Sequence, residues 1–160
     1  MTAATTPTTS STAPAPTSIP AAAAWLGGLG LLPFLVPALL LWLGPADGRG
    51  MAWLALHAYA AVILSFIGAV HWGAALHEAD SGHLWRAMGW SVLPALLAWV
   101  TLLMPHPQGV ALLLLGFAAQ YLMDRRAAAV GQLPVWYGRL RRVLTAGVVA
   151  SLALALARGV

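Results

Sequence analysis

Long apolar stretches separated by short polar connections dominate the chain. A helix needs about 20 apolar residues to cross a hydrocarbon core about 30 Å thick. Five stretches reach or approach that length, and they cover residues 22–43, 51–76, 84–104, 109–123 and 143–157. The pattern predicts an all-α integral membrane protein, a compact bundle of five transmembrane helices formed by residues 22–160.

Turn-forming residues separate the apolar stretches. The segments at 44–50, 77–83 and 105–109 read GPADGRG, HEADSGH and PHPQG. Their glycines, prolines and charged residues are typical of connections between helices. Pro33 and Pro37 lie inside the first stretch, so we expect a kink there.

The last two stretches are shorter than a full span. Residues 109–123 reach only about 22 Å at 1.5 Å per residue, unless the helix extends into the arginines that follow. Trp136 and Tyr137 precede the fifth stretch, and such residues collect at membrane interfaces. We therefore expect the chain to lie along the interface before it enters the fifth span.

The first 21 residues differ in composition from the rest. They consist almost wholly of Thr, Ala, Ser and Pro and carry no charged side chain. Such a segment buries too little apolar area to order itself, so we predict a disordered tail over residues 1–21. The tail also lacks the basic start of a secretory signal.

The composition supports a membrane protein. Hydrophobic residues make up 61% of the 160 residues and charged residues only 8%. A soluble domain of this size cannot bury so much apolar surface. The chain contains no cysteine, which excludes disulfides, thiolate catalysis and cysteine-ligated metal sites.

The eight basic residues are all arginines, and their positions predict an orientation. Arg49 and Arg158 lie on one side of a five-span protein. The other six fall on the opposite side: Arg86, Arg125, Arg126, Arg139, Arg141 and Arg142. The positive-inside rule then predicts a multi-pass protein with its amino terminus on the inner side and its carboxyl terminus on the outer side of the membrane. We interpret the arginines as topology signals and not as a nucleic-acid site, with binding of anionic lipid headgroups or a partner as the alternative.

His71 lies within the second stretch, in the run GAVHWGAAL. At 100° per residue, one face of this helix carries mostly small or polar residues: His57, Ala61, Leu64, Ser65, Gly68, His71, Trp72 and Ala75. The other face, expected to contact lipid, carries Val62, Ile63, Phe66, Ile67 and Val70. Membrane helices pack through small-residue faces, so His71 is predicted to point into the bundle.

Polar and aromatic residues collect at the predicted inner ends of spans two to five. Ser91 and Gln120 lie on small-residue faces and offer hydrogen bonds that hydrocarbon cannot supply. Ionisable groups inside a membrane are costly, so we predict a functional or packing cluster here. Its members are Ser65, Gly68, His71, Trp72, Glu78, Ser91, Gln120, Asp124, Trp136, Tyr137 and Arg139.

Several roles are compatible with His71. A neutral imidazole can hydrogen bond to a neighbouring helix. A metal site could combine it with Glu78, His83 and Asp124, although no compact motif such as HExxH supports one. A proton relay could use the same carboxylates. No GxSxG motif is present and Ser65 lies six residues from His71, so we predict no catalytic residue.

Haem binding is a further possibility for the histidines. His57 and His71 lie fourteen residues apart on one face, about 21 Å along the axis. This spacing resembles that of a cytochrome b helix that holds two haems. No second histidine pair has this spacing, which argues against two haems in one chain. A single haem bound by His71, with His57 as the weaker candidate, stays open, as does a haem shared by two copies.

Three runs of the sequence resemble the transmembrane protein 69-like family, which comprises small polytopic membrane proteins of proteobacteria and mitochondria. They are YAAVILSFIGAVHWG, GWSVLPALLAW and LPVWYGRLRRVLT, and the resemblance covers about residues 38–152. It implies an integral protein of the bacterial inner membrane and carries over no catalytic residue. With the orientation predicted above, the amino terminus would be cytoplasmic and the carboxyl terminus periplasmic. The mitochondrial members raise the expectation of a role near respiratory complexes.

We therefore expect an accessory, assembly or interaction subunit that packs against a larger membrane complex. It would contact lipids and either a membrane-protein partner or a second copy of itself, and no feature indicates a nucleic-acid partner. The alternative is binding or transport of a lipophilic ligand or cofactor, such as haem, quinone or porphyrin, at an inner-leaflet site around His71. An enzyme acting on a lipid or isoprenoid is the third and weakest alternative: Asp124, Glu78 and the arginines could bind a phosphate, but the sequence contains no acidic repeat.

Overall fold

Helices make up this computed structural model, which describes residues 18–76 and 81–159. The six α-helices are Ala21–Leu29 (α1), Leu32–Leu43 (α2), Arg49–Ala75 (α3), Ser81–Leu102 (α4), His106–Ala129 (α5) and Val135–Arg158 (α6). A short 3-10 turn, Ala46–Gly48, precedes α3. The described residues contain no strand, which confirms the all-α class. Most of the predicted tail, residues 1–17, lies outside them.

Three helical segments of the described chain are long and apolar enough to cross a membrane. They are Ala21–Leu43, Ala46–Gly73 and Val135–Arg158. The helices α4 and α5 have 22 and 24 residues, which is sufficient length, but no stretch of either is apolar and uncharged enough to qualify as a span. The helices thus support a multi-pass membrane protein, and by composition they give three clear spans in place of the predicted five.

The first predicted span is broken into two helices. The first helix ends at Leu29 and the second starts at Leu32, with Pro33 in its first turn. A proline donates no hydrogen bond and its ring clashes with the carbonyl four residues earlier, so Pro33 interrupts the α-helical hydrogen bonds of the turn before it. Pro37 lies inside α2. Gly30 and Leu31 keep right-handed helical backbone angles, so the interruption lies within the continuous helical segment Ala21–Leu43, close to the predicted kink.

A glycine ends α5. Gly131 has a φ of 78°, a left-handed conformation that favours glycine. The N–H of Gln132 donates to the Ala127 carbonyl at 2.9 Å, and the N–H of Gly131 donates to the Ala128 carbonyl at 3.2 Å. These two bonds form a Schellman motif, which satisfies carbonyls that the helix end leaves free.

The last two helices are longer than the apolar stretches predict. The fifth helix extends beyond residue 123 to Ala129, and the sixth starts at Val135 and not near residue 143. Trp136 and Tyr137 accordingly belong to the first turn of α6 and not to a separate interfacial segment. Pro134 directly precedes this turn, where a missing N–H costs little.

The core lies where α2, α3, α5 and α6 meet. The rings of Phe34 and Phe117 contact each other edge to face with centroids 6.0 Å apart. The largest core side chains are almost inaccessible to solvent: Phe34, Leu41, Leu56, Leu64, Leu113, Phe117 and Leu152. Helix α4 packs on the outside, against α3 and α5.

Gly68 sets the distance between α3 and α4. A Cβ atom at this position would lie 2.9 Å from two ring carbons of Pro94 and 3.0 Å from the Ser91 carbonyl oxygen. Such contacts are too short, so any larger side chain would push α4 outward. The structure thus places Gly68 on a packed face, as predicted, and the small residue allows the backbones to approach.

The prediction of which α3 residues contact lipid is partly wrong. Val62 and Phe66 are exposed, but Ile67 is buried and Ile63 is half-buried. Helices α2 and α6 pack near this side, and a projection of one helix cannot show which faces its neighbours cover. Trp72, predicted on the packed face, is instead 42% exposed.

We expect Gly68→Leu to destabilise the bundle by about 1–3 kcal/mol, because the side chain must displace Pro94 and the backbone at Ser91. Thermal unfolding in detergent measures the effect. Gly73→Leu on the same helix is the matched control, since a Cβ there meets nothing within 4 Å. Equal melting temperatures for the two variants would contradict the packing described here.

Candidate functional site

A buried carboxylate, Asp124 on α5, is the centre of the candidate site. Its Oδ1 atom accepts hydrogen bonds from His71 Nε2 on α3 at 2.9 Å and from Gln120 Nε2 at 3.2 Å. Its Oδ2 atom accepts a hydrogen bond from Arg141 Nε on α6 at 2.7 Å. The carboxylate side chain is only 1% exposed. These four residues, here called the Asp124 cluster, therefore join three helices through one side chain.

Helical spacing brings the four side chains together. Gln120 and Asp124 are four residues apart on α5, so they lie on one face. His71 is on the face of α3 predicted to point into the bundle, and its side chain is 11% exposed. Arg141 lies in the second turn of α6, and its side chain is 7% exposed. All three helices thus contribute to one enclosed polar contact.

The Asp124 cluster contains a buried ion pair. The short bond between Arg141 and Asp124 is charge-assisted, and such pairs are the stronger hydrogen bonds of proteins. An ionised Asp124 can only accept, so His71 Nε2 must carry the hydrogen of this contact. If Nδ1 then carries no hydrogen, the imidazole of His71 is neutral. A neutral His71 gives the cluster no net charge, which suits an apolar bundle.

Polar atoms around the Asp124 cluster are left without hydrogen bonds. Three buried atoms have no partner in the structure: Gln120 Oε1, Arg141 Nη2 and Thr145 Oγ1. Thr145 lies one turn after Arg141 on α6. A buried donor or acceptor without a partner costs about 1–3 kcal/mol. Each of these atoms is enclosed by protein, so it can be paired only by a water molecule or after neighbouring side chains shift.

Other members of the functional or packing cluster predicted from the sequence form contacts of their own. Ser65 donates a hydrogen bond to the Ala61 carbonyl, and Ser91 donates one to the Met88 carbonyl. Each serine therefore forms its hydrogen bond within its own helix. Arg139 is exposed.

Of the predicted aromatic members, Tyr137 lies one turn before Arg141 on α6, within electrostatic range of Asp124 and Arg141. The rings of Trp136 and Tyr137 contact each other edge to face at 6.1 Å. Trp72 lies at the outer surface beside α4. Glu78 lies outside the described residues, and the side chain of His83 does too.

A second polar contact lies near the opposite end of α3. His57 Nδ1 is 3.1 Å from Nδ1 of His106, and the Trp53 ring stacks on the His106 ring at 6.4 Å. His57 is buried, and its Nε2 atom packs against Gly109 without a hydrogen bond. His57 and His71 therefore contact different partners. Over residues 18–76 and 81–159, no three metal-ligating side chains converge on one point.

Sequence reasoning missed Arg141 and His106. Arg141 was assigned to a connection because the fifth span was taken to begin near residue 143. A projection started at Val135 would place Arg141 on one face with Thr145 and Val148, which are both buried. His106 was likewise assigned to a connection, whereas it is the first residue of α5.

Comparison with known proteins assigns the chain to a family. The family model described as "Protein of unknown function (DUF3429)" matches residues 19–157, nearly all of the described bundle. The chain belongs to the DUF3429 family. Transmembrane protein 69 of Xenopus tropicalis is 35% identical to it over 136 residues, which are 83% of this chain and 53% of the relative. The chain thus spans about half the length of this curated relative.

The DUF3429 match confirms the resemblance to transmembrane protein 69-like proteins. The matched residues contain the whole Asp124 cluster, from His71 to Arg141. The cluster therefore belongs to the DUF3429 domain itself. No solved structure matches the chain.

We expect Asp124→Asn and Arg141→Gln each to destabilise this DUF3429 domain by about 3–5 kcal/mol, since each leaves a buried charge unpaired. The double variant should lose less than the sum, with a coupling of about 0.5–3 kcal/mol. Denaturant unfolding in detergent micelles measures all three. Asp47→Asn is the control, because Asp47 is exposed in the 3-10 turn. Additive single effects would show that the ion pair does not hold the helices together.

Proposed function

We propose that the protein is an accessory or assembly subunit that packs against a larger membrane complex, with respiratory complexes as the first candidates. The observation that carries this proposal is a groove on the outer surface between the end of α3 and α4. The groove has a volume of about 490 Å³ and is lined by Trp72, Leu84, Trp85, Met88, Gly89 and Val92. We call it the tryptophan groove.

The chemistry of the tryptophan groove suits a helix of another membrane protein. Trp85 is 81% exposed, and tryptophan and methionine are enriched where proteins contact each other. A Cβ at Gly89 would meet nothing within 4 Å, so the groove floor is open to a close approach. Glycine in such a position lets helix backbones pack within a bilayer. A transmembrane helix of the partner is the proposed occupant.

Placement of the photoreactive residue p-benzoylphenylalanine tests the tryptophan groove in native membranes. At position 85 it should cross-link one defined membrane protein, whereas at position 143, an exposed site on α6, it should not. The same partner should co-purify in mild detergent at a stoichiometric ratio. Gly89→Leu should reduce co-purification at least tenfold, because its side chain fills the groove, and Gly28→Leu should not, since Gly28 is open but lies on α1.

Three outcomes would overturn the partner proposal. They are repeated purification without a partner, an adduct with the mass of two copies of this chain, and loss of co-purification that is equal in Gly89→Leu and Gly28→Leu. A two-copy adduct would assign the groove to a homo-oligomer instead.

We further propose that α4 and α5 also cross the membrane, which gives five spans in the bacterial inner membrane with a cytoplasmic amino terminus. The lengths of these helices and the arginine asymmetry support this arrangement. Alkaline phosphatase fused to the carboxyl terminus should then be active, because it folds in the periplasm. An inactive phosphatase with a fluorescent cytoplasmic reporter at the same terminus would contradict five spans in this orientation.

A second candidate function is binding of a lipophilic ligand or cofactor at the polar end of the bundle around His71. The unpartnered polar atoms beside Asp124 favour it. Haem at His71 would use Nδ1, since Nε2 is bonded to Asp124. An absorption spectrum of the purified protein distinguishes the ligands, because haem and porphyrin give a Soret band and a quinone does not.

A further inference from the structure

An apolar cavity lies among α1, α2, α3 and α6. It has a volume of about 340 Å³, within the range of small-molecule sites, and residues of α1, α2, α3, α5 and α6 line it. Its walls include the aromatic side chains of Phe34, Tyr59, Phe66 and Phe117. Phe66 is 69% exposed, so the cavity opens to the outer surface at this residue.

Arg141 is the charged residue in the wall of this cavity, so we call it the Arg141 cavity. The other polar side chain of the wall, Tyr59, already donates its hydroxyl hydrogen to the Gly30 carbonyl at 3.1 Å. Arg141 Nε donates to Asp124, and neither Nη atom has a hydrogen-bond partner among the described residues; Nη2 is enclosed by protein atoms, which leaves Nη1 as the free donor. A guanidinium has five donors, so Arg141 can bind Asp124 and a ligand together.

The charges of Asp124 and Arg141 restrict which ligands the Arg141 cavity can bind. Asp124 already neutralises Arg141. An anionic headgroup at the Arg141 cavity would therefore add a second negative charge close to Asp124, in a region of low dielectric where repulsion is strong. A neutral carbonyl oxygen needs only a donor. The cavity thus favours an uncharged ligand that carries a hydrogen-bond acceptor.

The shape and composition of the walls narrow the class further. Aromatic rings stack on flat conjugated rings, and the exposed edge at Phe66 gives an apolar tail a route into lipid. The described lining residues include no histidine, cysteine or methionine, the usual protein ligands of a haem iron. We propose that the Arg141 cavity binds a quinone whose ring carbonyl accepts a hydrogen bond from Arg141 and whose tail extends into the bilayer.

This inference deepens the second candidate function and does not depend on the tryptophan groove. It assigns the ligand to Arg141 and the aromatic wall, while His71 acts only by holding Asp124 in position. A ligand site at His71 and a ligand site at Arg141 can therefore be distinguished by experiment.

Native mass spectrometry of the full chain in lipid nanodiscs, with decylubiquinone as the probe, tests the site. The wild-type protein should bind one equivalent. Ile63→Trp fills the cavity and should weaken binding at least tenfold, whereas Val62→Trp, on the exposed face of the same helix, should leave it unchanged. Arg141→Lys keeps a cation beside Asp124 but loses the guanidinium, and it should weaken binding similarly. Arg142→Lys, at an exposed position, is its control.

Several outcomes would overturn the quinone site. They are equal binding by Ile63→Trp and wild type, preference for oleate over decylubiquinone, and a Soret band in the purified protein. Loss of binding in His71→Gln with full binding in Arg141→Lys would reject the Arg141 cavity but keep the second candidate function. Absence of decylubiquinone binding and of any co-purified lipophile would reject both.

Discussion

The ion pair between Asp124 and Arg141 constrains the rest of the bundle. A carboxylate among apolar helices must be paired and hydrogen bonded, because hydrocarbon and core side chains offer it nothing. Here the partners come from α3, α5 and α6, so the three helices must face one another at the level of Asp124. The apolar core of Phe34, Leu64 and Phe117 packs within this arrangement. Dispersion and burial then stabilise a geometry that the polar contact has already restricted.

The short link between α5 and α6 follows from the same pair. Seventeen residues separate Asp124 from Arg141, and the chain must reverse direction between them. The Schellman motif at Gly131 and the proline that precedes Val135 allow this within a few residues. A turn that began near residue 123, as the apolar pattern alone predicts, would leave both charged residues in a connection. The extended helices and the buried pair therefore depend on each other.

Apolar length was enough to predict the helices and the membrane class, and periodicity placed His71 and Gly68 on packed faces. The ends of the helices were harder to predict. A charged residue lowers the hydropathy of a stretch and so suggests a connection, even when a buried partner neutralises its charge. Arg141 was missed for this reason. Ile67 shows a second limit: its burial depends on neighbouring helices, which a single-helix projection does not contain. His106 shows a third limit. The prolines on either side of it indicate a loop, but in the structure they lie at the start of α5, where proline is tolerated.

The interruption near Gly30 gives α1 an independence that the other helices lack. Helix α1 contains no buried residue, and it contacts the bundle mainly through α6, where Gly27 lies against Leu144. None of the hydrogen bonds to Asp124 involves it. Its displacement would uncover one wall of the Arg141 cavity while the bundle keeps its fold. If a ligand occupies this cavity, α1 supplies part of the wall without sharing in the contacts of Asp124, so a change in the wall need not disturb the ion pair.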